Sequence, residues 1–544
     1  MKGAEVNRFF LVLALLMLFA VLVRGGERGG GGGAQGGAVA GGAAGAAAGM
    51  EPGEAAQMEG DEEAGDGAGP GGGASDIGPA CDPSASRQVV TFVHVADLHA
   101  HYGPDRAGVS RYSRIRAYYE SVRGENPYTV FTDGGDDYEK GSVAEQLSKG
   151  ASTREAVFAM GFDVRVIGNH DFAWGGKELL AFSNDPHAIV LASNIEVTGG
   201  DVRAFGAVEY AELQVGCVRV GFLGMVSRPW NALNRKYTGN FLPGFSAGWD
   251  WKAIVKRIVD DHRADVDLVV MVSHLGLRTD KDLAGDVDGI DIVLGAHSHE
   301  ATPEPVVIND TLIVHPGAFG KKAARLDVAW DLSARGIDGC ELELASTKSM
   351  SGFDPGVQDA VDAVFATYGP EAYRQIAVLE NGCDRRCVAR LTGSAAIHTT
   401  GADAALLDPR RVRRAWGGGG LTQQALVETY TVERQKPGTP GMSALYVVEV
   451  SGADLAAMKK AMPSWVYAGP ASPSDEETCE VVLHKAPALH PDAFFGPVSY
   501  ASVRFGSEAW RALDLYGRSR TAACLHIDTD NVLHRCKADT APAP

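Results

Sequence analysis

Five short groups of side chains in this sequence have the types and spacing to hold metal ions. In chain order they are Asp97-Leu98-His99, Asp133-Gly134-Gly135-Asp136, Gly168-Asn169-His170-Asp171, His274, and Gly295-Ala296-His297-Ser298-His299. Taken singly, each has an ordinary reading: an isolated histidine usually sits satisfied in a core, and an Asn-His pair can simply cap a helix. Five in one chain, each with a glycine nearby that lets backbones approach closely, point to one shared centre. A pair of divalent cations needs a carboxylate that can bridge them, plus imidazole, amide and carboxylate ligands that leave room for water. This mixture suits zinc, manganese or iron better than magnesium or calcium. The chemistry to expect is hydrolysis: a water shared by two cations loses its proton near neutral pH and attacks a phosphoryl group in line, while the cations neutralise charge on the phosphoryl oxygens.

The elements that must position these groups are legible in the hydrophobic pattern. Each group directly follows or ends a short apolar, β-branched run, at residues 88–96, 128–132, 163–167, 267–273 and 291–294. Between the runs lie amphipathic or polar stretches, the alternation of an α/β layer fold. Ligand-type side chains therefore stand just past the C-terminal ends of five expected strands, where open α/β sheets place their sites.

The series Asp97-x-His99, Gly135-Asp136, Gly168-Asn169-His170-Asp171, His274 and Gly295-x-His297-x-His299 resembles the calcineurin-like metallophosphoesterase signature, in the version used by the 5′-nucleotidase family. Gly108-Val109-Ser110-Arg111, Ser273-His274-Leu275-Gly276 and Pro316-Gly317-Ala318-Phe319-Gly320-Lys321 add to the likeness. The resemblance implies a layered αββα metallophosphoesterase domain over residues 87–350. It also implies one metal on Asp97, His99, Asp136 and His299, and another on Asp136, Asn169, His274 and His297. Asp136 would be the bridge and His170 the catalytic imidazole facing the phosphate. Two departures stand out. Gly141 falls five residues after Asp136 where the family has four, which makes Lys140 look inserted and Asp137 an alternative bridge; the Asp133-Gly134-Gly135 lead-in favours Asp136. Ala173 stands where the family has the aspartate that orients the catalytic histidine, so a substitute carboxylate is expected, with Asp171 and Asp97 the candidates.

Residues 356–540 resemble, more distantly, the 5′-nucleotidase C-terminal domain, which implies a second α+β substrate domain after a connecting helix near residues 357–366. The matching stretches run from Ala402 to Leu407, from Gly420 to Leu426 and from Leu445 to Leu455. The family's Asn-x-Gly-Gly-x-Arg reads here Asp408-Pro409-Arg410-Arg411-Val412-Arg413, with charge in place of the open glycines. Arg413 is the candidate substrate-binding residue, for a phosphate or ribose. Tyr467, Phe494 and Phe495 are weaker candidates for stacking. The function expected is hydrolysis of phosphate esters, most of all nucleotides. A 2′,3′-cyclic-nucleotide phosphodiesterase, a nucleotide-sugar hydrolase and a thiosulfohydrolase-like enzyme are the alternatives. Ala173 and the lost glycines also motivate a weakly active or inactive metal-containing surface binding protein.

Location and partners follow from the remaining sequence. Lys2 and Arg8 precede an apolar run at residues 9–23, so residues 1–24 read as a signal peptide or an N-terminal membrane anchor, and the protein as exported: periplasmic, cell-surface or secreted. Residues 25–86 read as a disordered linker, since residues 25–78 hold 22 of the chain's 68 glycines and almost no large apolar side chain. Formal net charge is −19 from 69 acidic and 50 basic side chains, which argues against binding duplex nucleic acid. Eight cysteines suit an oxidising compartment; Cys383 with Cys387, and Cys524 with Cys536, are the plausible local bridges, while a zinc site from these plus His526 lacks the usual spacing.

Overall fold

The computed structural model describes residues 76–197, 206–227, 245–379, 381–430, 443–469, 474–519, 525–527 and 533–535. The expected signal or anchor at 1–24, most of the linker, and the Cys524–Cys536 pair lie outside them. Of the expected linker, residues 76–86 are described, and they are tied to the folded body. Ile77 donates to Gln214 O at 2.8 Å, and Cys81 is bonded to Cys217. A polar, glycine-rich stretch cannot order itself by burial, but a disulfide 136 residues distant fixes its end to the folded body. Among the described residues, no helix is long and apolar enough to cross a membrane.

All five expected site-bearing strands form: β1 (Arg87–Val95), β2 (Thr129–Asp133), β3 (Val164–Val166), β4 (Leu268–His274) and β5 (Ile292–Gly295). β1, β2 and β3 lie side by side and parallel inside a seven-stranded sheet, whose order is Gly336–Ser346, Lys322–Asp331, β1, β2, β3, Ile189–Leu191, Ala207–Val208. β4 and β5 are parallel neighbours in a six-stranded sheet that also holds Val218–Val226. Period-two alternation explains the stacking. Val90 and Phe92 of β1 meet Val270 and Val272 of β4 in a core between the two sheets. Val93 and Val95 face the other way, onto Tyr112, Ile115 and Tyr119 of helix Arg111–Glu125. Val269 and Met271 of β4 face helix Trp251–His262 through Val255, Ile258 and Val259. The result is the expected helix–sheet–sheet–helix layering, and it brings the C-terminal ends of all five strands to one edge.

The expected connecting helix is Pro355–Tyr368, with Asp354 accepting from Val357 N as its N-cap. It belongs to the first half's packing: Val357, Val361 and Val364 lie in the same core cluster as Tyr102 and Tyr112. The second half contains a five-stranded and a four-stranded sheet. Helix Arg385–Thr400 packs there, starting at Asp384 with Cys383 bonded to Cys387 as expected. The two halves form one compact unit. Val143 of the first half is buried in the second half's core cluster.

Under the loop that follows β2 lies a buried arginine. Arg165 on β3 is 1% exposed and reaches Asp137 at 2.8 Å, Asp185 at 2.9 Å and Asp133 at 3.4 Å, with its guanidinium 4.1 Å from the Phe182 ring centre. Removing it would leave three buried carboxylates without their counter-charge. R165M is therefore expected to destabilise the protein by about 3–5 kcal/mol in denaturant unfolding; an unchanged unfolding midpoint would refute this account of the cluster.

Candidate metal centre

The residues just past β1, β2 and β5 leave extended geometry abruptly. Asp97, His99, Asp136, His297 and His299 all have positive φ, from 49° to 72°. Non-glycine residues rarely adopt this region, and such outliers persist only where surrounding structure over-determines them. Here the chains are locked by contact. A Cβ on Gly168 would lie 2.2 Å from Asp136 N, and one on Gly135 would lie 2.5 Å from Gly168 N. Glycine at both places lets the loops after β2 and β3 press together, which turns Asp136 and Asn169 into one space.

That space holds two ligand groups. Asp97, His99 and His299 offer atoms within 4.8 Å of one another, and so do Asp136, His274 and His297. In the first group, His99 Nε2 lies 3.2 Å from His299 Nε2, and His299 Nε2 lies 3.3 Å from Asp97 Oδ1. In the second, His274 Nε2 lies 3.2 Å from Asp136 Oδ2, 3.2 Å from Asn169 Oδ1 and 3.3 Å from His297 Nδ1. The groups share a corner: Asp136 Oδ2 is also 3.8 Å from His99 Nε2. The seven residues expected as ligands thus lie together, with Asp136 between the two sets.

The donor set fits cations. His99 Nδ1 pairs with Tyr138 O at 2.8 Å and His274 Nδ1 with Gly134 O at 2.6 Å, so each backbone carbonyl takes the Nδ1 proton and leaves an Nε2 lone pair facing the shared space. Asp97 Oδ2 accepts from His297 N at 2.9 Å, while the buried Oδ1 has no hydrogen-bond partner. Burial, with the nearby Lys140 charge, holds His99 well below the ordinary histidine range. Burial and the adjacent His274 bring His297 down to about 4. Neutral imidazoles are the form that binds metals. Burial opposes charge on Asp136 and on His274 alike, yet their attraction overrides it: Asp136 is held well below the usual carboxylate range and His274 is pushed up to about 10 as its ion-pair partner, so His274 must give up its Nε2 proton for a cation to take that lone pair.

The alternative bridge, Asp137, belongs to neither ligand group. Asp137 turns inward, with Oδ2 on Arg165, and burial pushes it up. The two carboxylates expected to support His170 are also committed elsewhere. Asp171 accepts from Gly168 N at 2.7 Å, Asp137 N at 2.9 Å and Asp136 N at 3.1 Å, clasping the loop from beneath, and burial with the charges of Asp137 and Asp136 raises it to about 8. Asp97 faces His297 and His299. The carboxylate that reaches His170 is Glu139, at 2.5 Å from Nδ1, while the His170 amide donates to Asp136 Oδ1 at 2.6 Å. Sequence reasoning missed Glu139 and gave Lys140 no role at the site, whereas Lys140 Nζ lies 2.9 Å from His99 Nε2. The inserted residue was the available signal.

In the second half, Arg410 is paired with Asp408 at 2.8 Å and so is not a free cation for a substrate. Arg413 is exposed and close enough for its charge to act on Lys140. Phe494 and Phe495 pack against Trp465, with ring centres 6.2 and 5.7 Å away, and Phe495 is core rather than a stacking platform. Tyr467 lies under Lys459 Nζ at 3.9 Å.

Comparison with known proteins agrees with this geometry. Residues 90–301 match the family model for calcineurin-like phosphoesterases. Among curated relatives, bovine 5′-nucleotidase is 24% identical over 238 residues, 41% of this chain and 40% of that protein. A trifunctional nucleotide phosphoesterase of Bacillus subtilis is 23% identical over 276 residues, 44% of this chain and 18% of that protein. These matches span less than half the length of either relative. Among solved structures, a 5′-nucleotidase precursor from Thermus thermophilus superposes with a TM-score of 0.59 at 19% identity, over 79% of this chain and 96% of that one. A sulfate thiohydrolase from the same organism gives 0.56 at 18% identity, over 82% and 95%. Both show the fold. Residues 90–301 are therefore a calcineurin-like phosphoesterase domain, carried on the fold of the two-domain 5′-nucleotidase family.

Proposed function

We propose that this protein is an exported, metal-dependent phosphoric ester hydrolase that acts on nucleotides as its main substrates. The observation that carries the reading is the pair of ligand groups joined at Asp136, with His170 fixed beside them. Asp97, His99, Asp136 and His299 would hold one divalent cation, and Asp136, Asn169, His274 and His297 the other. When bound, the cations supply Lewis-acid stabilisation of charge developing on the phosphoryl oxygens. The chain's own part is orientation. Tyr138 O and Gly134 O fix the tautomers of His99 and His274. Asp136 Oδ1 holds the His170 amide, and Glu139 holds its Nδ1, which leaves His170 Nε2 for a phosphoryl oxygen. The His170 ring centre is 5.0 Å from that of His99, at the edge of the ligand groups.

An acidic body must still attract an anion. Beyond the cations, Lys140 and Arg413 are the positive groups placed to do so. Export is supported by two disulfides among the described residues, a kind of bond that persists in oxidising compartments, together with the apolar run at residues 9–23. The ligand set is complete, which weighs against an inactive binding protein.

Two experiments test this reading. The full chain, loaded with manganese or zinc, should release phosphate from nucleoside 5′-monophosphates faster than from cyclic nucleotides or nucleotide sugars; no turnover on the whole panel with two metals bound would defeat it. Asp136→Asn should abolish phosphate release and lower the bound metal measured by elemental analysis. Asp137→Asn should leave the metal content unchanged and lower the unfolding midpoint instead. The reverse pattern would move the bridge to Asp137.

A further inference from the structure

The loop after Asp136 carries a bulge that the rest of the site does not require. Glu139 and Lys140 both adopt left-handed conformations, φ 69° and 78°, at the point where the family resemblance implies one residue fewer. Two consecutive non-glycine residues in that region cost free energy and must be held from outside. Two side chains do so. Glu145, fully buried, accepts from Glu139 N at 2.8 and 3.0 Å, and is itself fixed by Thr153 Oγ1 at 2.8 Å and Trp174 Nε1 at 2.9 Å. Gln424, on helix Gln423–Glu428 of the second half, donates from Nε2 to Gly141 O at 2.5 Å and accepts at Oε1 from Val143 N at 2.9 Å. Gly141 itself is pressed against His99, since a Cβ there would lie 2.3 Å from His99 O.

The bulge delivers the Glu139 carboxylate to His170 Nδ1 at 2.5 Å, with side chains 5% and 10% exposed. Ala173, buried nearby in sequence, offers no carboxylate, and Asp171 and Asp97 are used elsewhere. We propose that Glu139 is the positioning residue for His170, and that Gln424 of the second half holds Glu139 in register, so that the pair is assembled through the contact between the halves. A carboxylate on Nδ1 fixes the ring's orientation and tautomer and supports positive charge on it. Gln424 reaches no ligand; it acts through the loop.

The inference rests on the hydrolase reading, and its test separates the two. With the manganese-loaded full chain, E139Q should lower kcat about 10- to 100-fold with KM and metal content little changed. Q424A should lower kcat in the same direction, and the double variant E139Q/Q424A should be no slower than E139Q alone, because both act on one pair. A kcat for E139Q within twofold of the parent, or losses that multiply in the double variant, would overturn the proposal. Should the variants fail to fold, nitrogen-15 resonances of the His170 ring in the unaltered protein decide: a protonated Nδ1 is required, and a neutral ring protonated only at Nε2 refutes the pair. No phosphate release by the parent protein would instead defeat the hydrolase reading, with the ring measurement still able to judge Glu139.

Discussion

Like charge in a small buried volume is the constraint on which this structure turns. Asp97, Asp133, Asp136, Asp137 and Asp171 are each no more than 2% exposed, and all lie around the loops after β1, β2 and β3. Carboxylates so placed cannot all ionise without nearby positive charge. The fold divides the problem. Beneath the loops, Arg165 takes Asp133, Asp137 and Asp185, and backbone amides take Asp171. Above them, Asp97 and Asp136 face imidazoles whose lone pairs are aimed at the same space, an arrangement that cations complete. The left-handed turns at five candidate ligands, and the glycine contact between Gly135 and Gly168, are the local means of crowding the loops that tightly.

Most of the first half was legible because its signals are periodic or categorical. Apolar runs with period two mark the strands, and aspartate, asparagine and histidine at their ends mark the centre. What was not legible depended on direction. Asp136 and Asp137 are neighbours of one type, and only the location of Arg165, 28 residues on, shows which one turns inward. The carboxylate on His170 comes from a loop distant in sequence, and its arrival depends on a bulge whose conformation is enforced by Glu145 and Gln424. The disulfide between Cys81 and Cys217 was equally hidden, because spacing favours local pairs over a bridge between residues 136 apart.

The second half shows the limit of motif reading more sharply. A charged pair, Asp408 with Arg410, stands where the resemblance implies open glycines, and Phe495, a candidate for stacking, is packed in the core. The contacts of the second half with the loop next to Asp136 are mechanical: Val143 is buried in its core, and Gln424 grips Gly141 and Val143. On the proposed function, a second half that binds substrate and also grips this loop would link recognition to the geometry of His170.

The central claim is that Asp136 joins two cation positions in one centre. Anomalous scattering from crystals of the manganese-loaded protein measures this directly. The account predicts two peaks about 3.5–4 Å apart, one among Asp97, His99 and His299 and the other among Asn169, His274 and His297, with Asp136 between them. A single peak, or a second one beyond reach of Asp136, would contradict it.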